Sequence, residues 1–132
     1  MKKTLHILGF FAALNLLSLF NLTNALAGSL ILEVPDNPEP TTETIAYQCE
    51  TKTGKERVEA TYLNTDNVSL VDFRWRGDRV IAANVIATMG KKYAGAQYIW
   101  WENNKEITLY DLANDPESQK PIICKDESTL LF

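Results

Sequence analysis

Residues 57–63, Arg57-Val58-Glu59-Ala60-Thr61-Tyr62-Leu63, and residues 68–75, Val68-Ser69-Leu70-Val71-Asp72-Phe73-Arg74-Trp75, carry the pattern that decides the fold class. Val58, Ala60 and Tyr62 fall on one side with Glu59 and Thr61 on the other, and Val71, Phe73 and Trp75 repeat the alternation. A period of two puts one dry and one wet face on an extended chain, so both stretches read as half-buried β-strands. Working outward, residues 45–50, 97–101, 106–110 and 121–124 show the same strand-like character. Between them, Thr53-Gly54-Lys55, Arg76-Gly77-Asp78 and Asn103-Asn104-Lys105 suit tight connections, because Gly and Asn tolerate positive φ. Closely spaced antiparallel strands follow, as in a barrel or a sandwich.

One stretch resists this reading. Residues 78–89 run nearly continuously apolar through Val80, Ile81, Ala82, Ala83, Val85, Ile86 and Ala87, with Asp78 placed as an N-cap and Gly90 as a C-cap. By local rules alone a helix fits as well as a strand.

The N-terminal end has a different character. Lys2 and Lys3 precede an apolar run from Ile7 to Phe20, interrupted by Asn15 and Ser18, and Ala25-Leu26-Ala27 follows. That is the pattern of a secretory signal peptide over residues 1–27, cleaved after Ala27. The run is shorter than the roughly 20 residues a bilayer core demands, which argues against a membrane anchor. No cysteine follows it closely enough to accept a lipid, so a soluble secreted protein is expected. Residues 28–43, with Pro35, Pro38 and Pro40 among Asp, Asn, Glu and Thr, read as an extended leader, and the domain proper as residues 44–132.

Removing residues 1–27 from the 132 leaves 105, enough for one domain with a marginal core. The only cysteines, Cys49 and Cys124, are bound for an oxidising compartment, which favours a disulfide over a metal site or a reactive thiol. Closing so long a loop would contribute about 4 kcal/mol at most.

Charge and composition exclude several functions. With Lys2 and Lys3 gone, 11 basic side chains face 17 acidic ones, a balance of −6 that speaks against nucleic acid as a partner. The one histidine, His6, leaves with the signal, so Ser-His and Cys-His mechanisms have no base and no His/Cys metal site remains. No Gly-rich phosphate loop of known spacing is present, and no cofactor is expected. A glycosidase needs only two carboxylates, but Glu56, Glu59 and Asp72 sit on turns and polar strand faces as solvated groups do. A non-enzymatic protein is therefore expected. The densest set of recognition-type residues is Lys91, Lys92, Tyr93, Tyr98, Trp100 and Trp101, beside Gly90 and Gly95. For the aromatic members, Tyr98 and Trp100 in the core and Ile99 and Trp101 at its rim is the competing structural reading.

Met89-Gly90-Lys91-Lys92-Tyr93, then Tyr98-Ile99-Trp100-Trp101, then Glu106-Ile107-Thr108-Leu109-Tyr110 resembles the core motif of the bacterial MliC/PliC family of C-type lysozyme inhibitors. There the motif reads approximately S-G-x-R-Y, then Y-x-F-W-x-K-G-x-E-A-x-L. Tyr47-Gln48-Cys49 resembles the family's opening Y-x-C, and Cys124 stands where its closing cysteine would. The resemblance implies an eight-stranded antiparallel β-barrel with a Cys49–Cys124 disulfide, and strands plus a loop over residues 78–89. It also implies inhibition of lysozyme, C-type first, by insertion of the motif loop into the active-site cleft, shielding peptidoglycan. The implied contact residues are Met89, Gly90, Lys92, Tyr93 and Asn103. Two of them depart from the pattern. Met89 stands at the family serine and Asn103 at the family lysine, with Asn104 replacing its glycine, so the cation toward cleft carboxylates falls to Lys92, Lys91 or Lys105. A cell-envelope binding module of the same fold without inhibition is the alternative. Monomer and homodimer both remain open.

Overall fold

The computed structural model describes residues 28–33 and 39–131, so the expected signal peptide and residues 34–38 of the leader lie outside the described residues. Residues 28–33 are exposed and have no regular secondary structure. From Thr41 onward the chain forms eight strands: β1 (Thr41–Thr51), β2 (Gly54–Asn64), β3 (Ser69–Trp75), β4 (Asp78–Val85), β5 (Lys91–Gly95), β6 (Tyr98–Asn103), β7 (Glu106–Asp111) and β8 (Ile122–Asp126). A short 3₁₀ turn, η1 (Glu127–Thr129), follows. Each strand pairs antiparallel with the next, and β8 pairs with β1, so the sheet closes into a barrel. Closure removes unpaired strand edges wherever the ladders run.

The alternation read from residues 57–75 is the inside–outside alternation of this barrel. Val58, Ala60 and Tyr62 from β2 and Val71, Phe73 and Trp75 from β3 are all buried. Tyr47 and Cys49, Val80 and Ala82, Tyr93, Tyr98 and Trp100, Ile107 and Leu109, and Cys124 complete the interior. Large aromatics fill most of the lumen. Phe73 stacks on Trp100 with centroids 4.5 Å apart, and Tyr47 meets the edge of Trp100 at 5.6 Å. Aromatic pairs of this kind contribute about 0.5–1.5 kcal/mol beyond the area they bury.

The polar tips inside are paired. The Trp100 indole N–H donates to the Tyr62 hydroxyl at 3.0 Å, and that hydroxyl shares a 2.9 Å hydrogen bond with the Tyr47 hydroxyl. Desolvation pushes the Tyr47 phenol up to about 12, and burial raises Tyr62 further. Among the described residues no buried side-chain nitrogen or oxygen lacks a partner, as a low-dielectric interior requires.

Residues 78–85, ambiguous from local rules, are β4. Val80 and Ala82 point inward while Arg79, Ile81 and Ala83 are exposed, a period of two that a helix would not give. β4 pairs with β3 from Asp78 to Ala83 and with β5 from Ala83 to Val85. Tertiary context thus overrides the Asp and Gly cap signals. Thr41–Glu43, placed with the leader by composition, are the first residues of β1, where they pair with Asn64, Leu63 and Tyr62. Their polar side chains are exposed, which is why composition did not mark them as strand.

Cys49 and Cys124 are register partners on β1 and β8 and form a disulfide spanning 75 positions of sequence. The turn after β7 is organised by Asp111. Desolvation disfavours its charged form, but hydrogen bonds from Asn114 and Gln97 outweigh this and hold the carboxyl below its usual range.

Candidate functional site

The β4–β5 connection is the most exposed apolar feature of the barrel. The ladder between the two strands ends at Val85 opposite Lys92, and residues 86–90 project beyond it. Ile86 is 99% exposed and Met89 62% exposed, and Val85 at the base of the loop is exposed too. Three large apolar side chains held in water on one short connection make it a candidate surface for a partner.

Gly90 allows the loop to return to the sheet. Its φ of +63° is the left-handed region, and a Cβ placed on it would collide with the backbone carbonyl of Glu102 on β6. Both demands single out glycine. The loop therefore lies directly against β6, where Glu102 is also the register partner of Lys91.

Three further contacts order this region. The Asn84 side-chain amide donates to the Lys92 carbonyl at 3.1 Å. The Trp101 indole N–H donates to the Met89 carbonyl at 2.9 Å. The Lys92 ammonium sits over the same indole, 4.3 Å from the ring centroid, within cation–π range. Parity along β5 sends Lys92 to the outside of the barrel and Tyr93 to the inside.

The β6–β7 hairpin adjoins the loop. Asn103 pairs with Glu106, and the two residues between them, Asn104 at φ 50° and Lys105 at φ 64°, both take positive φ. That is the backbone demanded of a two-residue hairpin turn of type I′, which asparagine accepts readily. Asn103, Asn104 and Lys105 are all exposed. Since Glu102 touches Gly90, its neighbour Asn103 places an exposed amide at the same end of the barrel as Met89 and Gly90.

Of the five contact residues expected from sequence, Met89, Gly90 and Lys92 gather around Trp101, and Asn103 lies at the same end of the barrel. Tyr93 does not join them. Its ring is 1% exposed, packs against Tyr62 with centroids 5.9 Å apart, and brings its hydroxyl 3.4 Å from that of Ser69. For the aromatics the structural reading holds: Tyr98 and Trp100 are buried in the core, and Ile99 and Trp101 are half-buried. What the sequence reading missed is that Trp101, Glu102 and Asn84 shape the loop. The strand register carries that information, and parity from buried Trp100 is the one sequence signal that turns Trp101 outward.

Chemically, the site offers apolar side chains, an amide and lysine ammonium groups. Among the described residues no group of three or more His, Cys, Asp or Glu side chains is placed to hold a metal ion.

An antiparallel barrel closed by one disulfide between its first and last strands, with an exposed loop at a Gly-Lys-Lys-Tyr motif, defines a class of small single-barrel proteins. Residues 47–118 match the family described as membrane-bound lysozyme-inhibitor of c-type lysozyme, and the chain belongs to that family. A Pseudomonas aeruginosa protein named membrane-bound lysozyme inhibitor of C-type lysozyme is 32% identical over 96 residues, 72% of this chain and 73% of that protein. A Cupriavidus necator protein of the same name is 33% identical over 73 residues, 55% of this chain and 56% of that protein. The crystal structure of Pseudomonas aeruginosa MliC in complex with hen egg white lysozyme matches with a TM-score of 0.62 at 29% identity, covering 76% of this chain and 98% of the other.

Proposed function

We propose that this protein is a periplasmic inhibitor of C-type lysozyme that inserts residues 86–90 into the active-site cleft and so protects peptidoglycan. The observation that carries the reading is the rigidly anchored, exposed loop beside a lysine ammonium in a chain of this family. Lysozyme cleaves glycosidic bonds with a pair of carboxyl groups flanking the scissile bond. A loop ending in Gly90-Lys91-Lys92 brings cations toward such a pair, while Ile86 and Met89 exclude water around it. A desolvated ion pair of this kind changes dissociation by an amount worth about 2–5 kcal/mol when one partner is truncated.

Met89 offers the cleft an apolar side chain with a weak sulfur acceptor, and Asn103 an uncharged amide. Lys92 then carries the electrostatic part of recognition, with Lys91 and Lys105 beside it. The excess of acidic over basic side chains favours encounter with a basic enzyme. Residues 1–27 direct export and are removed after Ala27, residues 28–40 form the leader, and the barrel from Thr41 onward is the working domain. The disulfide engages both cysteines of the chain, which leaves none of them to carry a lipid. The protein has no catalytic role of its own in this reading.

The test is a lysis assay with the purified, oxidised protein against C-type, g-type and i-type lysozymes. Inhibition of the C-type enzyme is expected. Lysis unaffected in all three at a large excess of protein contradicts the reading and leaves an envelope binding module of the same fold.

A further inference from the structure

Trp101 stands on the outer face of β6, between Lys92 on β5 and Thr108 on β7. One face of its indole lies under the Lys92 ammonium at 4.3 Å, and its N–H reaches the Met89 carbonyl at 2.9 Å. The Gly90 position packs against the same side chain, since a Cβ there would lie 3.4 Å from the Trp101 indole nitrogen. A single rigid ring, with only two side-chain torsions, therefore touches three successive parts of the recognition segment: the backbone at Met89, the turn at Gly90 and the cation at Lys92.

We propose that Trp101 is the positioning residue of the inhibitory loop, holding the Met89 carbonyl and the Lys92 ammonium in place before a partner arrives. The inference rests on the lysozyme-binding reading and adds to it the residue that prepares the site. Without the clamp, the exposed side chains of Ile86 and Met89 would be carried by an unordered five-residue connection whose ordering opposes binding. A loop that is competent only part of the time weakens apparent affinity by that fraction, and ordering it beforehand recovers the loss. The Lys92 ammonium is likewise kept near the loop instead of sampling the full reach of a flexible four-carbon stem. On meeting a carboxylate it has only to slide off the ring face.

The arrangement also explains why Met89 is tolerated where the family pattern has serine. Trp101 grips the main chain of residue 89 and makes no demand on its side chain.

The experiment compares the full oxidised protein with Trp101→Phe, Trp101→Ala and Lys92→Met, following hen egg white lysozyme binding kinetics and amide hydrogen exchange of residues 86–92 in the free protein. Trp101→Phe keeps a ring under Lys92 and removes the indole N–H, so faster exchange in the loop and roughly fivefold weaker binding are expected, the equivalent of one neutral hydrogen bond. Trp101→Ala should lose more in both measurements. Lys92→Met should weaken binding while leaving loop exchange as it is. Unchanged loop exchange in Trp101→Phe and Trp101→Ala overturns the proposal, as does wild-type affinity in both. A purely structural Trp101 would lower the melting temperature with loop exchange unaltered. Should the unmodified protein fail to bind lysozyme, the functional reading falls, and loop exchange in the variants still decides whether Trp101 positions the loop.

Discussion

Cys49 and Cys124 oppose one another in register on β1 and β8, so the disulfide joins the two strands whose pairing closes the barrel. The contact on that seam is short: the ladder between β1 and β8 covers only four residue pairs, from Tyr47 with Asp126 to Glu50 with Ile123. The covalent link reinforces a closing ladder that is short in itself.

Replacing both cysteines by alanine should therefore lower the stability of the barrel by about 2–5 kcal/mol, the range for a native disulfide in a small secreted domain. Urea unfolding followed by tryptophan fluorescence measures it. A loss below about 1 kcal/mol would mean that the ladder alone keeps the seam closed.

The buried Tyr47–Tyr62 pair makes stability pH-dependent on the alkaline side. Both phenols have folded-state values raised above those of the unfolded chain. The folded state thus keeps protons that the unfolded state gives up, and stability falls as pH rises. The contribution is complete below about pH 10, the ordinary tyrosine value, and is lost as pH climbs toward 12. Urea midpoints recorded across this range should decline, and Tyr47→Phe should shallow the decline.

Gly90 tests the link between backbone and recognition. Gly90→Ala must place a Cβ against the Glu102 carbonyl while holding a positive φ, a strain of about 1–3 kcal/mol. The expected outcome is a displaced loop with the barrel intact: wild-type far-ultraviolet circular dichroism, and lysozyme affinity reduced roughly fivefold or more by that strain.

Tyr93 separates packing from contact. Its ring lies in the barrel interior, so Tyr93→Phe should leave lysozyme affinity unchanged. Tyr93→Ala should cost about 3–5 kcal/mol of stability through the cavity it opens. Thermal melts and a binding titration on both variants distinguish this from direct contact by the hydroxyl.

The long strands declared themselves in the sequence because each alternates over enough residues to reveal its parity. Val58, Ala60 and Tyr62, and then Val71, Phe73 and Trp75, leave no other regular solution, and Cys49 and Cys124 are the two cysteines of the sequence. The β4 strand was hidden because its outward positions include Ile81 and Ala83, which erase the polar half of the pattern. The inward turn of Tyr93 was hidden for a related reason. The β5 strand is five residues long, and Lys91 and Lys92 at its start look alike while facing differently. The clamp around Trp101 depends on the cross-strand register of Lys92, Trp101 and Glu102, which no local motif encodes.

The central claim is that residues 86–90 enter the lysozyme cleft with Lys92 beside them. The most direct measurement is a calorimetric titration of hen egg white lysozyme with this protein, in the absence and presence of a saturating chitooligosaccharide that fills the cleft. One-to-one binding that the oligosaccharide abolishes is the predicted result. Binding that persists undiminished with the cleft filled would contradict it.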